Sequence, residues 1–138
     1  GNKTPSNNGD EGIAMRIDMF LPAVPDSAQI QRWAINVLVA RYNGLTEIPA
    51  IGFWQDDSGT RVTERVRILI SYTTGLVDVE RLWFERSFLP RLAEQYRLES
   101  TPQTCFLFAI DNNPHYWSEE HVPHTGSAGD SSKGTARC

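Results

Sequence analysis

Residues 48–72 read IPAIGFWQDDSGTRVTERVRILISY. Two apolar, β-branched runs flank Asp57-Ser58-Gly59, which is the composition of a β-hairpin with turn chemistry at its tip. With Ser58-Gly59 as a two-residue turn, Trp54 falls opposite Thr63, Gly52 opposite Arg65 and Ala50 opposite Arg67. That register gathers Ile51, Phe53, Val66, Ile68 and Ile70 on one side, as a sheet covered by helices on one face requires. A longer loop would shift the pairing.

Upstream of the hairpin, residues 14–21 alternate: Met15, Ile17, Met19 and Leu21 share one face, and Arg16, Asp18 and Phe20 the other. Pro22 and Pro25 end this strand. Asp26 or Ser27 then caps a helix to about Tyr42, in which Ile30, Trp33, Ala34, Val37, Leu38 and Arg41 keep amphipathic spacing. Asn43-Gly44 supplies a left-handed stop. Downstream, Asp78 caps a second helix over about 79–98, with Val79, Leu82, Trp83, Leu89, Leu92, Ala93 and Tyr96 as its buried stripe. Pro90 interrupts it and implies a kink or two abutting helices. A last strand covers 104–110, and Asp111-Asn112-Asn113-Pro114 is a turn.

The order strand, helix, strand, strand, helix, strand implies an α+β domain of the ferredoxin-like, split βαβ kind. It would hold a four-stranded antiparallel sheet with two helices on one face. The expected division is a disordered arm over 1–12, the domain over 13–117 and a polar tail over 118–138.

Within this frame, Gly52-x-Trp54, the acidic Asp-Ser-Gly turn, the Glu64-bearing strand TERVRILISY and FLPRLAEQYRLES leading into QTCFLF form a pattern. It resembles an uncharacterised group of small bacterial ferredoxin-like proteins, a domain of unknown function. The resemblance spans roughly residues 15–111. In size and style the chain is also similar to orphan proteins of mobile, integron-type gene cassettes. Both resemblances imply the fold; neither implies an activity.

Composition bounds the function. The chain has 138 residues, a formal net charge of −4 and 40% apolar residues, which suits one soluble domain with one core. The acidic balance argues against nucleic acid as a partner. The apolar runs are far short of a membrane span, and no polybasic segment suits an anionic lipid surface. The polar start shows no signal peptide, which favours the cytoplasm, although an opening Gly leaves room for a processed upstream segment. Of the two cysteines, Cys105 reads as a small buried hydrophobe in a strand and Cys138 ends the tail; their spacing supports no pairing.

The face of the sheet away from the helices is where function is expected. On the register above it carries Arg16, Asp18, Phe20, Trp54, Arg65 and Arg67, together with Leu69 and Ser71, and Phe106 and Phe108 from the last strand. Aromatic planes beside guanidinium groups suit a small anionic or aromatic ligand, and a partly apolar open sheet suits a second subunit. The TERVRILISY strand lacks the aromatic spacing of an RNA-binding sheet.

His115, Glu119, Glu120, His121 and His124 carry zinc-type donors, but their spacing matches no established site, so no metal and no cofactor is assigned. No Ser–His–Asp, Cys–His or phosphate-loop pattern occurs. The leading reading is therefore a non-catalytic domain that self-associates, as a homodimer or higher, through its open sheet and binds a small ligand there. The alternative is a small-molecule enzyme, of isomerase or cofactor-free oxygenase type, with a pocket at the same face.

Overall fold

Met15, Ile17, Met19 and Leu21, at every second position of the first strand, are each no more than 2% exposed, and the sheet is built around them. The computed structural model describes residues 13–24, 27–98 and 103–119. The strands are β1 (Ile13–Pro22), β2 (Thr46–Gln55), β3 (Arg61–Gly75), β4 (Cys105–Ile110) and β5 (Asn113–Ser118). They form one antiparallel sheet in the order β2-β3-β1-β4-β5. Helix α1 (Ala28–Tyr42) joins β1 to β2. A longer helical run joins β3 to β4, made of α2 (Val77–Trp83), a π-helical turn (Phe84–Phe88) and α3 (Leu89–Arg97).

Both helical runs lie on one side of the sheet. Ile30, Ala34 and Leu38 of α1 share a core with Phe84, Phe88, Leu92 and Tyr96 and with the four β1 residues. Phe84 stacks on Phe108 of β4 at 4.7 Å, and Trp33 stacks on Phe88 at 5.6 Å. Helix α1 ends as expected, with Asn43 left-handed at φ 70°. At its start Ser27 does not cap: its hydroxyl donates to the Val24 carbonyl at 2.6 Å. The second run accommodates Pro90, in the first turn of α3, by widening into the π turn that precedes it.

The expected four-stranded ferredoxin-like sheet is corrected by a fifth strand. Asp111 and Asn112 both adopt positive φ (53° and 69°), the geometry of a two-residue hairpin turn whose twist suits paired strands. Asn113 therefore opens β5 instead of extending a turn, and Trp117 packs opposite Phe106. β5, not β4, is the edge on that side. Both edge strands contain a proline, Pro49 in β2 and Pro114 in β5, where a missing backbone donor is tolerated.

The hairpin register is corrected as well. The last pair is Gln55↔Arg61, and the loop between them has five residues rather than two. Asp56 organises it: its Oδ1 accepts from the Ser58 and Thr60 backbone N–H groups, both at 2.9 Å, and from the Ser58 hydroxyl at 2.8 Å. Those bonds hold the Asp56 carboxyl below its ordinary range, the Ser58 side chain contributing most. The odd loop moves the register by one, so Trp54 faces Val62, Gly52 faces Glu64 and Ala50 faces Val66. A one-residue slip exchanges the two faces of β3 relative to β2.

A candidate binding site on the open face of the sheet

Among the described residues, no element packs on the side of the sheet opposite the helices. Strand pairing places Arg16, Asp18, Phe20 and Pro22 there from β1. Ile48, Ala50, Gly52 and Trp54 join them from β2, and Val62, Glu64, Val66, Ile68, Ile70 and Tyr72 from β3. Cys105, Leu107 and Ala109 of β4 and Tyr116 of β5 complete the surface.

Four of the six expected site residues are thus brought to this face: Arg16, Asp18, Phe20 and Trp54. Arg65 and Arg67 are not. Arg65 stands opposite Ile51, and Arg67 stands opposite the fully buried Leu21, so both belong to the helix side. There the hairpin overhangs the helices, and Arg67 pairs with Glu47 at 2.7 Å in partly exposed surroundings. Leu69 and Ser71 share their side, and so do Phe106 and Phe108, which are in the core. The slip in register is the cause for β3. For β4 the cause is its pairing with β1, where Phe108 meets Met19.

The exchange makes the open face more apolar than expected, because β3 now contributes Val66, Ile68 and Ile70 in place of two arginines. Its polar groups come in two sets. At one end, Arg16 Nε and Nη2 donate to Asp18 at 2.8 and 3.3 Å, a forked pair that raises the Arg16 pKa further. At the other end, Trp54 Nε1 donates to Glu64 Oε1 at 3.1 Å. This second set borders a small pocket of about 40 Å³ whose walls include Phe20, Trp54, Glu64, Leu107 and Tyr116.

The sequence places Glu64 in a strand without giving it a role at the site. The signal that would have found it was its pairing with Gly52, which the tight-turn register hid. Cys105, also at the pocket, is buried and disulfide-bonded, which corrects its reading as a plain apolar filler; the sequence's other cysteine, Cys138, lies outside the described residues. Of the histidine-bearing segment, His115 stacks on Phe108 at 5.2 Å and Glu119 pairs with Arg97 at 2.8 Å. Glu120, His121 and His124 lie outside the described residues.

No family model and no curated protein matches the chain. Among solved structures it is similar in fold to a phage S-adenosylmethionine lyase in complex with S-methyl-5'-thioadenosine. The TM-score is 0.55 at 13% identity, over 88% of this chain and 100% of that one.

Proposed function

We propose that the open face binds a small ligand at the Trp54–Glu64 pocket, and that the ligand is an adenosine thioether or its sulfonium precursor. The observation that carries this reading is the indole N–H held on the Glu64 carboxylate inside an aromatic-walled depression. Phe20, Trp54 and Tyr116 offer flat surfaces on which a purine stacks. A carboxylate is a ready acceptor for a ribose diol, and aromatic faces attract an onium cation. The likeness to a protein solved with S-methyl-5'-thioadenosine supports this class among nucleosides, while the side chains support the place.

A pocket of about 40 Å³ holds little more than a few waters. A nucleoside would therefore rest on the face with one side uncovered. A second copy of the chain laid on the same face would cover it, since ligand sites often form where subunits meet. Self-association is supported separately by the exposure of Ile48 (43%), Tyr72 (65%) and Tyr116 (52%) on one surface, because contiguous apolar patches seldom stay bare.

Calorimetric titration with S-methyl-5'-thioadenosine and S-adenosylmethionine tests the ligand class. Saturable binding by the wild-type chain, abolished in Glu64→Gln, is expected. Absence of heat with both compounds up to their solubility limits removes it. Chromatography of S-adenosylmethionine incubated with the chain asks whether binding leads on to turnover. Light scattering across a concentration series tests self-association, and a strict monomer at the highest concentration ends that reading.

A further inference from the structure

Gly52 sits in the middle of β2 without a conformational reason to be glycine. Its φ is not among the positive values, which belong to Gly59 and Gly75, and glycine within a strand weakens it. What Gly52 supplies is room. A Cβ built there would lie 3.1 Å from Trp54 Cζ2 and 3.2 Å from both Cε2 and Nε1. The crowded atoms are those of the indole edge that bears the N–H. Trp54, two residues on and on the same face, therefore packs this edge of its ring against the bare Gly52 backbone. In that pose its N–H meets Glu64, which is the residue directly across the strand from Gly52.

We infer that Gly52 is a positioning residue for the pocket: its missing side chain lets the N–H edge of the Trp54 indole close on the strand and hold the Glu64 carboxylate toward the ligand. The inference rests on the ligand reading above for its functional consequence, but its geometric half stands apart. A Cβ at 52 makes the indole edge give by a few tenths of an ångström, which strains the 3.1 Å bond to Glu64. A purely structural role, in which the ring only shields a strand glycine, makes a different demand. It requires the ring to cover the backbone and is indifferent to where the N–H points.

The test is a spectroscopic cycle on the full chain. The Trp54 indole N–H resonance, assigned among the four tryptophans by its loss in Trp54→Phe, is expected to move on Glu64→Gln. In a Gly52→Ala background the same Glu64→Gln change is expected to move it markedly less. An indole that responds to Glu64→Gln equally in both backgrounds overturns the inference.

Binding of S-methyl-5'-thioadenosine supplies the second arm. Gly52→Ala is expected to weaken it by about tenfold or more, as for a misplaced bond to a charged group, with the melting temperature held or raised. Equal binding by wild type and Gly52→Ala overturns the inference and leaves the ligand reading standing. No binding by wild type, together with the expected resonance pattern, upholds the positioning and fails the ligand reading. Should Gly52→Ala not fold, Trp54→Phe decides: it keeps an aromatic ring and removes the N–H, and unchanged affinity in that variant overturns the inference.

Discussion

The two faces of this sheet are made by alternate residues of the same strands, yet they differ in kind. On the helix side, Met19, Leu21, Phe84, Phe88 and Phe108 are fully buried, and Phe84 meets Phe88 edge-on and stacks on Phe108. Polar groups there sit at the margin, where Glu80 accepts from Arg41 Nε at 3.0 Å and from the Tyr42 hydroxyl at 2.7 Å. On the open side, no described element packs over Val66 and Ile70, and polar pairs stand within the apolar surface. The difference separates residues that hold the fold from residues free to do something else. It also sets the size of effect expected from each.

The largest effect should come from the helix side. Phe84→Ala removes a fully buried ring that contacts Trp83, Phe88 and Phe108. A loss of about 3–5 kcal/mol is expected, as for other large-to-small changes in a packed core, and urea denaturation would measure it. A loss under 1 kcal/mol, roughly the surface range, would mean that the helices pack loosely and that the contrast between the faces is false.

Next comes alkaline pH. Burial, and for Tyr42 also the bond to Glu80, pushes the phenols of Tyr42 and Tyr96 above their ordinary range. Tyr96 donates to the Pro22 carbonyl at 2.6 Å. Below about pH 10 the folded and unfolded chains both keep these protons, so the contribution to stability is full. Above it the unfolded chain releases them first, and stability falls by up to about 1.4 kcal/mol per phenol for each pH unit. Melting temperatures should drop steeply above about pH 10, and Tyr96→Phe should flatten the drop. A flat profile would place both hydroxyls in water.

Glu80→Gln should cost somewhat less, about 1–3 kcal/mol. The amide still accepts from Tyr42 but leaves Arg41 without its opposite charge. Arg41 is partly solvated and also lies over the Trp83 ring at 4.2 Å, which moderates the loss. Equilibrium unfolding of Glu80→Gln beside Arg41→Met and the double variant would isolate the pair; additive effects would show that Glu80 and Arg41 are not coupled.

How much of this was legible in the sequence follows from which interactions are local. β1 was readable, because strict alternation over Met15–Leu21 has one reading and the structure keeps both of its faces. Helix α1 and its Asn43 stop were readable for the same reason. The hairpin's strands were readable but their register was not. Ser58-Gly59 has the composition of a tight turn, yet Asp56 gathers three bonds that close a longer loop, and side-chain bonding of that kind does not show in a residue pattern. That single miss placed Arg65 and Arg67 on the wrong face and hid Glu64. β5 is hidden in the sequence because Asp111-Asn112 reads as an ordinary turn, and Pro114 argues against a strand unless that strand is known to be an edge. Trp54 was found without its partner, since a glycine's value to a ring two residues away depends on the rotamer that ring adopts.

The smallest effect on folding should come from the rim of the open face, and it is the sharpest probe of the comparison. Ile48 is 43% exposed on edge strand β2, beside Ile68 of β3. Ile48→Lys places a charge where water already reaches, so stability should change by no more than about 0.5 kcal/mol. If a second copy covers this face, the same charge would have to be desolvated against apolar side chains, a cost of several kcal/mol, and any oligomer seen by light scattering should dissociate. A variant that melts like wild type but runs as a monomer assigns Ile48 to association alone. One that melts much lower while keeping the same assembled mass would show that Ile48 serves the fold, and that the open face is less separate from the core than alternation makes it.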